Sequence, residues 1–165
     1  MKKTILLLTV IAFTTILTKT ASAHCEVPCG IYNDELRIEL IKEHIQTIEK
    51  AMNQITEIQN SETVNYNQLV RWINTKETHA TLIQEITEQY FLAQRVKFAL
   101  LSDKENYTKY INQLTYLHQL IVFSMKAKQS TDLKYIDDLN KSVTNFEIVY
   151  FGKEAHRHDL KGEHK

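Results

Sequence analysis

Proline occurs once and glycine three times among the 165 residues. Two of those four breakers, Pro28 and Gly30, fall in the stretch 24–32, and more than a hundred residues after it contain no interior helix breaker. Cysteine is almost as scarce. A disulfide scaffold spreads its cysteines to join distant segments, whereas Cys25 and Cys29 can close only one turn. An excess of positive charge is also missing. The formal net charge is zero, and residues 1–23 carry Lys2, Lys3 and Lys19 with no acid. Without them the chain has 17 basic and 20 acidic side chains, a net of −3. A mildly acidic domain lacks the basic face that nucleic-acid binding requires. No Ser-His-Asp set, phosphate loop or paired-carboxylate motif stands out, and Asp137-Asp138 has the pattern of a solvated helix face.

What is present begins with a leader. Lys2 and Lys3 precede an apolar run from Ile5 to Ile16 that only threonines interrupt, and Ala21-Ser22-Ala23 obeys the small-x-small rule of signal peptidase. The run is too short to span a bilayer, which takes roughly 20 residues. Residues 1–23 are therefore expected to be a cleaved signal peptide. The mature chain would start at His24, be exported to a periplasm or secreted, and keep no membrane anchor.

The remainder predicts an all-α, antiparallel four-helix bundle over 33–154 with a polar tail at 155–165. Asn33 is a good N-cap, with Asp34 and Glu35 where the helix dipole favours acids. Ile38, Ile41, Ile45, Ile48, Met52 and Ile55 then recur at spacings of three and four, a seam for partner helices. A polar loop spans 59–63. A long second helix is expected from Val64 to Leu101, with Leu69, Ile73, Ala80, Ile83, Ile86, Tyr90 and Ala93 on its inner face. Ser102-Asp103 marks a break before a third helix through Tyr110, Leu117 and Ile121. A fourth helix carries Leu133 to Val149 and ends near Gly152.

Chemistry concentrates in His24-Cys25-Glu26-Val27-Pro28-Cys29-Gly30-Ile31-Tyr32. A freshly exposed His24 offers a free α-amine and an imidazole. The Cys25 amide can lose its proton to a strongly binding metal, and its thiolate closes a second chelate ring. Cys29 can fold back as a second thiolate because Pro28 and Gly30 favour a turn. Two nitrogens and two sulfurs in a plane, with an imidazole above, suit nickel(II) or copper(II) better than zinc, which prefers a tetrahedral set.

His-Cys-x-x-Pro-Cys-Gly-x-Tyr at a processed N-terminus resembles the nickel hook of the nickel-containing superoxide dismutases at every fixed position. The segment Arg71 to Glu77 with His79-Ala80, and Tyr90-Phe91, also resembles family sequence. The resemblance implies one nickel per chain, cycling between Ni(II) and Ni(III) as superoxide becomes dioxygen and hydrogen peroxide. It implies that His24, Cys25 and Cys29 are the metal ligands, and that Tyr32 lines the substrate approach. Glu39, within Arg37-Ile38-Glu39, matches the glutamate that holds the axial imidazole, with a one-residue gap relative to some members. Arg71 and His79 are candidates for the basic residue that supports the same imidazole. A homohexamer is implied as well. Two features depart from the pattern: Glu26 and Val27 between the ligands carry no assigned metal role, and a signal peptide stands where many members have a short pro-sequence. Signal peptidase would then create the metal site during export.

Other classes fit parts of the chain. An exported, non-catalytic helical binding module with a Cys25–Cys29 disulfide would bind no metal. A nickel chaperone or sensor would use the same hook without turnover. A lipoprotein would need its cysteine at the cleavage point, where His24 stands. His156, His158 and His164 sit in the polar tail and have the pattern of a solvated end. His44, His79 and His118 lie within helices, as structural or surface residues.

Overall fold

A computed structural model describes residues 27–152 of the chain. The leader, His24, Cys25 and the tail lie outside the described residues. Four helices follow in order: α1 (Asp34–Gln59), α2 (Tyr66–Glu85), α3 (Lys104–Gln129) and α4 (Lys134–Phe151). A π-helical segment, Ile86–Arg95, continues α2 directly. Each helix packs on the next and α4 closes on α1. The short connections after α1 and after α3 force antiparallel neighbours, so the architecture is an all-α four-helix bundle.

Local chemistry sets most helix ends. The Asn33 side chain accepts the amide hydrogen of Leu36 at 3.0 Å and starts α1. Asn65 accepts from Gln68 at 3.2 Å and starts α2, and Asp103 accepts from Asn106 at 3.2 Å and starts α3. Gly152, with φ +84, stops α4 in a conformation that L side chains rarely adopt. The α1 seam is the spine of the core. Ile38, Ile41, Ile45, Ile48, Met52 and Ile55 are all buried, as their spacing predicts. All but Ile55 share one core cluster with Ala80, Ile83, Phe91, Leu117, Leu120, Leu139, Val143 and Phe146 from the other elements. Each fully buried isoleucine contributes about 1.5–3 kcal/mol of transfer free energy.

The second helix departs from its expected course. It does not run α-helically to Leu101. The Thr87 hydroxyl donates back to the Ile83 carbonyl at 2.7 Å, a contact that loosens helices. From Ile86 onward the backbone widens to the π register, and the Val96 amide reaches the Phe91 carbonyl, five residues back, at 2.9 Å. The wider turn lets the adjacent rings of Tyr90 and Phe91 both face inward, whereas α-helical neighbours diverge by roughly 100°. It also turns Ala93, expected inside, to the surface. Ile73, too, is exposed. After Arg95 the chain leaves the helix and exposes Phe98, Leu100 and Leu101 before α3 begins.

Candidate metal centre

The described part of the hook is a tight turn. The Ile31 amide donates to the Pro28 carbonyl at 3.2 Å, which places Cys29 and Gly30 at its centre. Gly30 has φ +80, the value that the third position of a type II turn demands. Cys29, at the tip, carries an exposed free thiol.

Tyr32 follows the turn and lies against the bundle. The Arg95 guanidinium sits 4.2 Å from its ring centroid, and the Tyr90 ring meets it edge-on at 5.9 Å. Its hydroxyl donates to Gln94 Oε1 at 3.3 Å. Behind Tyr32, one carboxylate collects four bonds. Arg95 donates to Asp34 through Nε at 2.9 Å and Nη2 at 2.7 Å. The Tyr90 hydroxyl donates to Oδ1 at 2.6 Å and the Tyr150 hydroxyl to Oδ2 at 2.8 Å. Three elements therefore meet on one residue: α1 supplies Asp34, the π-helical segment supplies Tyr90 and Arg95, and α4 supplies Tyr150.

These contacts decide the charges. Partial burial works against the Asp34 carboxylate, but the hydrogen bonds from Arg95, Tyr90 and Tyr150 outweigh it and hold its pKa below the usual carboxylate value. Burial, followed by the bond to Asp34, pushes the Tyr90 and Tyr150 phenols up to about 12. The bond to Asp34 raises Arg95 further above its already high value, so it stays charged. At neutral pH the network is an ion pair flanked by two protonated phenols. A cavity of about 860 Å³ opens beside it, and its walls include Asp34, Arg95, Lys97, Lys109 and Tyr150.

Of the residues singled out in the sequence, Cys29 and Tyr32 fall together at this end of the bundle. His24 and Cys25 lie outside the described residues. Glu39 is exposed on α1 and pairs with Lys42 at 2.8 Å, which also reaches Glu147 at 2.9 Å. Arg71 is exposed. His79 faces His44, with their Nδ1 atoms 3.1 Å apart. Sequence reasoning missed the Asp34, Gln94, Arg95 and Tyr150 surroundings of Tyr32. Asp34 carried only a helix-dipole signal, and its partners stand 56 to 116 residues away.

Among the described residues, the fold and this end of it define an all-α bundle that presents a free thiol on a turn beside an anchored tyrosine. The family model described as nickel-containing superoxide dismutase matches residues 19–154, and the chain belongs to that family. It is therefore an oxidoreductase acting on superoxide, with nickel as its cofactor. No curated protein and no solved structure matches the chain. The donor chemistry fits the metal: Cys29 offers an accessible thiol on a turn, and thiolates favour soft, electron-rich coordination.

Proposed function

We propose that the mature chain dismutates superoxide at a nickel held by His24, Cys25 and Cys29. His24 would supply its α-amine and imidazole, Cys25 its amide nitrogen and thiolate, and Cys29 the second thiolate. Nickel held there would supply a one-electron Ni(II)/Ni(III) couple for the conversion of two superoxide ions and two protons to dioxygen and hydrogen peroxide. The observation that carries this reading is the exposed Cys29 thiol on a turn that leads directly into the anchored Tyr32.

The chain's own residues then divide the work. Tyr32, 39% exposed, borders the approach to the turn, where its ring restricts access and its hydroxyl oxygen, whose proton goes to Gln94, can accept a hydrogen bond from water. Arg95 keeps its charge against that ring while paired with the Asp34 carboxylate at 2.7 Å, and so fixes the ring in place. Tyr90 and Tyr150 keep their protons and act as donors to Asp34, not as bases. Glu39 would hold the His24 imidazole. Cleavage after Ala23 by signal peptidase would create the His24 amine, so export and site formation would be one event. The product would be periplasmic or secreted and assemble as a homohexamer.

Intact-mass and metal analysis of the natively exported protein test this reading. A mass beginning at His24 with about one nickel per chain is expected. A correctly trimmed chain that stays nickel-free after reduction and nickel loading would overturn it in favour of the disulfide-bearing module. One extra residue before His24 removes the amine and should abolish high nickel occupancy; undiminished occupancy in that variant contradicts the ligand set.

A further inference from the structure

We infer that Gln94 is a positioning residue for the metal-binding turn, tying both of its ends to the bundle through a single side-chain amide. The inference rests on the nickel-hook reading for its functional meaning, but the tether itself is a property of the metal-free chain.

All of the Gln94 amide's donors are engaged. Nε2 has two hydrogens: one goes to the Val27 carbonyl at 3.3 Å, before the turn, and the other to the Gln89 carbonyl at 2.8 Å, in its own helical segment. Oε1 accepts the Tyr32 hydroxyl at 3.3 Å, after the turn. The residues that flank Cys29 are thus fastened to one side chain, and that side chain is fastened to its helix. No other orientation of the amide satisfies all three partners, since two are carbonyls and need a donor.

The π register makes this possible. Residues five apart point in well-separated directions in an α-helix, but share a face when the turn widens by about one residue. Here Tyr90 and Arg95, five apart, both bond Asp34, while Gln94 and Arg95 both contact Tyr32. An α-helical continuation would keep Gln94 near Tyr90 and swing Arg95 away. The widened segment therefore brings three consecutive functions to one place: Tyr90 to brace Asp34, Gln94 to hold the turn, and Arg95 to stack on Tyr32.

A preorganised turn has less freedom to lose when a metal binds, so it binds more tightly. Two measurements on the mature chain, trimmed to His24, test the assignment. In the metal-free protein, backbone amide order parameters at Cys29, Gly30 and Ile31 should match the rigid helices in wild type and drop below about 0.6 in Gln94→Leu. Order parameters in α1 and α3 should not change, which separates a local tether from a fold defect. Gln94→Glu keeps an acceptor for Tyr32 but loses the donor to Val27, so it should fall between the two. Competition for Ni(II) against a chromophoric chelator should then show affinity reduced about tenfold in Gln94→Leu, with the thiolate charge-transfer bands unmoved because the ligands are unchanged. Equal turn order and equal nickel affinity in wild type and Gln94→Leu would overturn the inference and leave the dismutase reading standing. An ordered wild-type turn that takes up no nickel would sink the dismutase reading and leave the tether intact.

Discussion

Toward each end of the bundle a charged side chain is withdrawn from water, Lys76 at one and Asp34 at the other, and the two are held differently. At the end remote from the hook, the buried ammonium of Lys76 donates to the carbonyls of Ala127, Lys128 and Ser130 at 2.8, 2.5 and 3.0 Å. Those carbonyls are the unpaired acceptors that any helix C-terminus leaves, and a cation there also suits the helix dipole. At the hook end, the Asp34 carboxylate is held by side chains from the π-helical segment and α4. The first arrangement depends on one lysine and on backbone that every helix has. The second depends on the identity of four side chains, and it continues into Tyr32. The contrast separates a joint that stabilises the fold from one that also shapes a site.

Substitutions can break the two joints independently. Lys76→Met should have the largest effect on stability, about 3 kcal/mol in urea unfolding, because it strands carbonyls in a buried place. Nickel uptake per folded chain should stay at the wild-type level; selective loss of nickel would mean that this end, too, serves the site. Asp34→Asn should lower stability less, by about 2 kcal/mol, since Asn keeps the shape and some of the bonds. Unlike Lys76→Met, it should also slow superoxide decay about tenfold in stopped-flow assays, through a displaced Arg95 and Tyr32. Unchanged kinetics would reduce the hook-end joint to a structural role.

Acid titration gives a finer comparison. The folded pKa of Asp34 lies below its ordinary value of 3.8, so its share of stability is complete above that pH and is lost as pH falls through the lower folded value. Asp34→Asn should remove that part of the acid transition. The smallest effect belongs to the His44–His79 pair between α1 and α2. Burial, followed by the charge of His79, lowers the His44 pKa from 6.5, although Glu43 works the other way. The unfolded chain then takes up the proton first, and stability declines as pH drops below 6.5. His44→Gln should flatten the stability curve just below that pH; a slope identical to wild type would show that His44 contributes nothing to it.

Much of the fold was legible because its signals are local. The α1 seam, the Asn33 and Asp103 caps and the stop at Gly152 each depend on residues within a turn or two. The turn at Cys29 was legible for the same reason: Pro28 and Gly30 encode it. The π register left no such trace. Ile83, Ile86 and Tyr90 suit an α-helical face as well as a π-helical one, and only packing of Tyr90 and Phe91 against the core selects between them. Gln94, Arg95 and Tyr150 carry no motif, and on paper are an ordinary amide, cation and phenol.

The sequence by itself therefore determined the helical class, the seam and the turn, since each follows from short-range periodicity or backbone preference. Only the tertiary structure decided what surrounds Tyr32. Bringing Asp34 against Arg95 and Tyr150 closes chain separations of 61 and 116 residues, and such contacts form only once the four helices have buried their apolar faces together.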